Sequence, residues 1–301
     1  MPRRAFLTVL ASGGASDTTA PTVTITSSES SPTAASPVPI TITFSEAVTG
    51  FVIGDLTVGV GSASNFSGSG AVYTCDITPT GAAVTVDVAA GVCVDGAGNS
   101  NAAATQFAIT ATLVFKDTFT GLDGALLTSH IADINFSGQA WTKTGAGTWD
   151  LESNKAREIT NAGNMYAHVN VGIADVSISA VVTLATSGGN YTGIMFRRSG
   201  ADFWNFTLSP DRGANADWFF DKLGSGAAAV ASGHLNFANS STHTIRVDMS
   251  GDSIAIYIDG SLLTSTTDAY SQAATLHGLI NNNGTAADKG IRVDMVTMTS
   301  L

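Results

Sequence analysis

The feature that most constrains this chain is a succession of short segments in which apolar and polar residues alternate, broken roughly every ten residues by clusters of Gly, Pro, Asn and Asp. PITITF, YTCDIT and VTVDV are examples from the first third. A period of two sends every second side chain to the same face, so each segment is suited to bury one face and wet the other. Repeated at this spacing, the pattern calls for antiparallel β-sandwiches. A helical fold lacks material: of 24 acidic residues only Glu29, Glu46, Glu152 and Glu158 are glutamate, and 32 residues are glycine. The longest apolar runs fall short of the roughly 18 residues that a membrane-spanning helix needs.

With 301 residues the chain has length for two domains, and its charge shows where they divide. Residues 1–16 hold two bases and no acid, residues 17–110 hold seven acids without a Lys or Arg, and residues 111–301 hold 17 acids and 11 bases. We therefore read an N-terminal arm at 1–16, a first sandwich at 17–110 and a second at 111–301. The net charge of −11 opposes sequence-independent binding to phosphate backbones and anionic membranes, so neither nucleic acid nor membrane insertion is expected. In the arm, Ala5, Leu7 and Val9 alternate with Phe6, Thr8 and Leu10, which leaves both faces apolar. That suits a docking segment covered by another chain, and a minimal signal peptide is the alternative. Cys75 and Cys93 fall in neighbouring strands and read either as a disulfide or as two small buried thiols.

In the second region VSISAVVTL, YTGIMFRR, DFWNFTLS and DWFFDKL read as wide central strands. HTIRVDMSGDSIAIYIDGSLLTS reads as a three-strand meander with Ile245, Val247 and Met249 on one face, Ile254, Ile256 and Ile258 doing likewise, and turns at SGD and DG. Catalytic signatures are missing from this pattern. His130, His168, His234, His243 and His277 show no HExxH or close pairing, and Glu152 and Glu158 are separated by a turn-forming Ser-Asn.

Asp17-Thr-Thr-Ala-Pro21, Ile40-Thr-Ile-Thr-Phe-Ser-Glu46, Asp55-Leu-Thr-Val58, Asn65-Phe-Ser-Gly68 and Asp95-Gly-Ala-Gly-Asn99 make the first region resemble bacterial Ig-like repeats. Such repeats occur in surface adhesins, biofilm proteins and tailed-phage virion proteins, where they act as spacers or interaction modules. Some relatives bind calcium, so the resemblance implies Asp17, Asp55 and Asp95 as ligands; no other cofactor is implied. Turn capping is the other reading of the same three residues.

The meander, Asp117-Thr-Phe119 and the closing strand Ile291-Arg-Val-Asp-Met-Val-Thr-Met298 make the second region resemble the concanavalin A-like, laminin G-like jelly-roll family. The fold expected is therefore all-β, an N-terminal Ig-like β-sandwich followed by a concanavalin A-like jelly-roll sandwich. The resemblance implies glycan or protein binding on a concave face or its rim loops. Candidate ligand-binding residues are the aromatics Tyr191, Trp204 and Trp218 and the polar loop residues Asn190, Asp211, Arg212, Asn215, Asn281 and Asn282. Glycosidases of the family carry Glu-x-Asp-x-Glu on one strand, a spacing this chain lacks, so no enzymatic activity is expected.

Together these features imply a structural protein of a tailed-phage virion, a head decoration or a tail fibre component. It would sit on the virion surface as a homo-oligomer, docked to other virion proteins through residues 1–16 and displaying a domain for host-surface glycan or protein. A secreted bacterial surface adhesin built from the same modules is the alternative.

Overall fold

The computed structural model describes residues 16–135, 137–145, 147–159, 165–186, 190–210, 216–282 and 291–301. All but the last residue of the arm, and the loop residues Asp211, Arg212 and Asn215, lie outside the described residues. The described chain is all-β with two short 3-10 turns, and it divides near Thr110 into two compact units.

The first unit contains β1 (Val23–Ser27), β2 (Val38–Thr49), β3 (Leu56–Gly59), β4 (Gly61–Pro79), β5 (Ala83–Val88), β6 (Val94–Asp95) and β7 (Phe107–Thr110). One sheet has the order β1-β2-β4 with β6 added to β2, and the other has the order β3-β5-β7. The alternation explains the layering. Ile40, Ile42 and Phe44 of β2 point inward while the intervening threonines stay near solvent, and Val84, Val86 and Val88 of β5 are buried likewise. Phe44, Phe51, Phe66 and Tyr73 form a ring cluster with centroid separations of 5.0–6.0 Å. Each such pair adds about 0.5–1.5 kcal/mol to simple burial. Cys75 and Cys93 are both buried free thiols rather than a disulfide. Burial, with Asp76 adding to it, pushes the Cys75 thiol up to about 11.

The second unit begins with β8 (Leu113–Asp117), β9 (Ile134–Asn135), β10 (Thr142–Thr144), β11 (Trp149–Leu151), β12 (Ala156–Glu158), β13 (Met165–Asn170), β14 (Val176–Thr183) and β15 (Tyr191–Ser199). It continues with β16 (Asp202–Leu208), β17 (Trp218–Leu223), β18 (Ala228–Gly233), β19 (Thr242–Ser250), β20 (Ser253–Ile258), β21 (Ser261–Thr267), β22 (Leu276–Asn282) and β23 (Arg292–Ser300). A seven-stranded sheet has the order β10-β13-β22-β15-β16-β17-β18. A nine-stranded sheet has the order β11-β12-β23-β14-β19-β20-β21, with β8 paired to β23 and β9 to β8. All strand pairings within these sheets are antiparallel.

One continuous apolar core joins the two sheets. Phe196, Trp204, Phe206 and Phe220 enter it from the seven-stranded sheet, and Ile178, Val247, Ile256 and Val296 from the nine-stranded one. Each fully buried side chain of this size contributes about 1.5–3 kcal/mol from removal of apolar surface. The meander β19-β20-β21 has the register Ile245 opposite Ile258, Val247 opposite Ile256 and Met249 opposite Ile254, all facing the core. Its second turn is Asp259-Gly260, with φ of 48° and 84°, the left-handed pair that tight hairpins need.

Candidate functional site

The pleat that buries Trp204 and Phe220 turns their odd-numbered neighbours to the outer face of the seven-stranded sheet. Asn205 of β16 stands directly opposite Asp221 of β17 and Met195 of β15, while Thr207 stands opposite Phe219 and Gly193. Asn205, Thr207, Phe219 and Asp221, with Tyr191, Leu223 and Ile280, line a recess of about 230 Å³. Tyr191 and Phe219 meet edge to face at 5.4 Å. Asn205 is only 6% exposed, and its Oδ1 accepts no hydrogen bond. Burial raises the pKa of the neighbouring Asp221 carboxyl. The recess thus offers an unused acceptor, a carboxyl held in a poorly hydrated place and two ring edges.

The same face continues toward β13. Met195, Phe203 and Ile280 pack together with Tyr166 and Leu223 as a small apolar cluster. The Arg198 guanidinium lies 5.4 Å from the Tyr166 ring centre and 5.7 Å from that of Phe203, and its Nη1 donates to Thr144 Oγ1 at 2.9 Å. Beside it, His168 Nε2 is 3.1 Å from the same hydroxyl. Burial, helped by the Arg198 charge, drives the His168 imidazole down to about 4, so it is neutral at pH 7. The face therefore has a cation at one end and a carboxyl at the other.

Among the residues expected from the sequence, Tyr191 lines this recess, and Asn282 is its cross-strand partner in register. Trp204 and Trp218 do not reach it. Both occupy even positions on their strands and point into the core, where Trp204 Nε1 donates to the Tyr270 carbonyl at 2.8 Å. Asn190 is buried, and Asn281 is wholly buried on the inward face with both amide atoms unpaired. Asn205, Thr207, Phe219 and Asp221 were not among the expected residues, although the odd-even alternation of FWNFTL and WFFDKL places them on one face with Tyr191. Burial alone pushes the Glu158 carboxyl up to about 8, whereas Glu152 pairs with Arg157 and Arg292.

The calcium trio is corrected as well. Asp17 and Asp95 do come together, but their third neighbour is Glu46, each offering a ligand oxygen within 4.8 Å of the others. Asp55 instead caps the turn at 53–55, its Oδ2 accepting from Val52 N–H at 2.8 Å. Burial and the charges of Asp17 and Asp95 raise the Glu46 pKa. Asp95 is committed to the loop after β6: Oδ1 accepts from Ala97 N–H and Asn99 N–H, and Oδ2 from Asn99 Nδ2, each at 2.8 Å. Calcium takes six to eight oxygens, so this set would need several more donors.

A family model described as bacterial Ig-like domain matches residues 17–111, which places the first unit among bacterial Ig-like domains. The second unit is a two-layer antiparallel sandwich of a seven- and a nine-stranded sheet around one core, and the chain joins an Ig-like domain to that larger sandwich. A carbohydrate binding module from Bacillus subtilis is similar over 53% of this chain and 91% of its own, with 15% identity and a TM-score of 0.36. LamAcat from Zobellia galactanivorans is similar over 63% and 98%, with 10% identity and a TM-score of 0.43. An endo-beta-1,3-glucanase from Pyrococcus furiosus is similar over 62% and 94%, with 12% identity and a TM-score of 0.41. No curated protein matches the chain.

Proposed function

We propose that the larger sandwich binds a glycan in the recess between Tyr191, Asn205, Phe219 and Asp221 and does not cleave it. The observation that carries this reading is the buried, unpartnered Asn205 Oδ1 facing Asp221 across adjacent strands. A sugar hydroxyl donating to each would satisfy a buried acceptor that no protein group reaches, and the ring edges suit the C–H face of a pyranose. Among the described residues Asp221 is the only carboxylate lining the recess, whereas glycoside hydrolysis uses two. The volume of about 230 Å³ accommodates a single sugar residue, so selectivity would rest on one terminal or internal unit.

A glycan array followed by calorimetric titration tests the reading. Asn205→Ala and Asp221→Asn should each weaken binding about tenfold, the equivalent of one good hydrogen bond. Absence of any glycan ligand, or binding that both variants leave unchanged, would remove the recess from consideration. The setting belongs to the same proposal: a display protein on a tailed-phage virion or, alternatively, on a bacterial surface. Co-sedimentation with purified virions in fixed copy number is the measurement that separates the two.

A further inference from the structure

A second cleft, of about 520 Å³, lies along β19–β21 and is walled by Leu235, Phe237, Ile258, Leu262 and Leu263. Leu235 and Leu262 stand 45% and 59% exposed at its lip. A polar chain also lines it, running from Ser241 to the exposed carboxylate of Asp259. Ser241 Oγ is 2.8 Å from His243 Nε2, and His243 Nδ1 is 2.8 Å from Asp259 Oδ2. A carboxylate can only accept, so Nδ1 carries the proton and Nε2 of the neutral ring is left to accept from the serine. Asp259 Oδ1 also accepts from Thr244 N–H at 2.8 Å. Burial works against the Asp259 carboxylate, but the hydrogen bonds from His243 and Thr244 outweigh it and keep its pKa below the usual range. Phe237 packs edge-on against the imidazole at 4.7 Å and fixes the ring plane.

We propose that Ser241, His243 and Asp259 form a nucleophilic triad that hydrolyses carboxylic esters whose acyl chain fits the apolar cleft. The roles follow from the connectivity. Ser241 Oγ bonds to the acyl carbon as its proton passes to His243 Nε2, and the Asp259 carboxylate stabilises the resulting imidazolium. Collapse of the adduct breaks the ester C–O bond, and the departing alcohol takes the proton from Nε2. Water then attacks the acyl-serine, gives a proton to Nε2 and releases the carboxylic acid, with the serine regaining its proton. The balance is ester plus water to acid plus alcohol. The Ala238 carbonyl, 2.7 Å from Ser241 Oγ, competes with Nε2 for the single hydroxyl hydrogen, which must point to Nε2 before attack. Leu235, Leu262 and Leu263 supply the apolar wall that selects an acyl chain over a sugar, which sets this cleft apart from the recess on the other sheet.

The test is p-nitrophenyl butyrate hydrolysis by the full chain, together with mass spectrometry after treatment with a fluorophosphonate. Turnover above buffer and an adduct on Ser241 are expected. Ser241→Ala should abolish both, and Asp259→Asn, which keeps the side chain's size, should lower the rate about 100-fold. Neither variant should alter glycan binding, so failure here leaves the glycan reading standing. Absence of turnover and adduct in the unaltered chain, or hydrolysis that survives Ser241→Ala, would overturn the proposal and leave the network as a brace for the turn at 238–241.

Discussion

His277 lies wholly inside the second unit, where its Nε2 donates to the Ile173 carbonyl at 2.9 Å and its Nδ1 accepts from Arg197 N–H at 3.2 Å. The second bond requires the neutral ring, because a protonated Nδ1 cannot accept. Burial drives its pKa down to about 4, with the Arg197 charge adding to the shift and the bond to Ile173 opposing it. The unfolded chain protonates near 6.5 and the folded one only near 4, so acid favours unfolding across that window. This single residue should remove about 2–3 kcal/mol of stability between pH 6.5 and pH 4, with no further loss below it. Urea unfolding of His277→Gln at pH 7 and pH 4.5 checks this: the drop between the two should be about 2 kcal/mol smaller than in the unaltered chain. An unchanged drop would mean that His277 is not the titrating group. The sequence shows only a lone histidine here, because desolvation depends on what covers a side chain and not on its neighbours in sequence.

Among the elements, β15 and β22 shape the recess, and glycine is what lets them do so. Gly193 stands opposite Thr207 and Ile280, and a Cβ there would run into the Phe206 carbonyl oxygen and lie 2.8 Å from Thr207 Cα. The obstacle is backbone, which cannot swing aside. Gly193→Ala should therefore destabilise the protein by about 2–3 kcal/mol and weaken glycan binding together with it, as read by thermal melting and titration. A melting point within a degree of the unaltered protein would sink that account. The strands themselves were legible in the sequence, since alternation marks both the strand and its two faces. Which face would be core was legible less well. In FWNF and DWFF both faces carry rings, so the tryptophans looked available for binding until packing put Trp204 and Trp218 inside and left Phe219 beside Tyr191. Asp259 offers a similar lesson: Asp259-Gly260 reads as a hairpin turn, and it is one, but the turn also brings its carboxylate onto His243.

At the scale of the whole molecule the two units each have their own core, the first built on strands such as β2 and β5, the second on the facing seven- and nine-stranded sheets. A unit with its own core and few outside dependencies should fold alone. Residues 16–110 and 111–301, expressed separately, should each give a cooperative unfolding transition by calorimetry, and a fragment without one would contradict the division. What the sequence determined by itself is the all-β class, the position of the divide near residue 110, the meander at 242–267 and the lack of a glycosidase carboxylate strand. These are local properties, written in period, turn chemistry and composition. Tertiary structure alone decided that Asn205 and Asp221 meet, that Glu46 and not Asp55 joins Asp17 and Asp95, and that Ser241, His243 and Asp259 form one chain of hydrogen bonds. Each of these depends on strand register and on which face is covered, quantities set by the packing of segments far apart in sequence, where a shift of one residue would exchange the two faces.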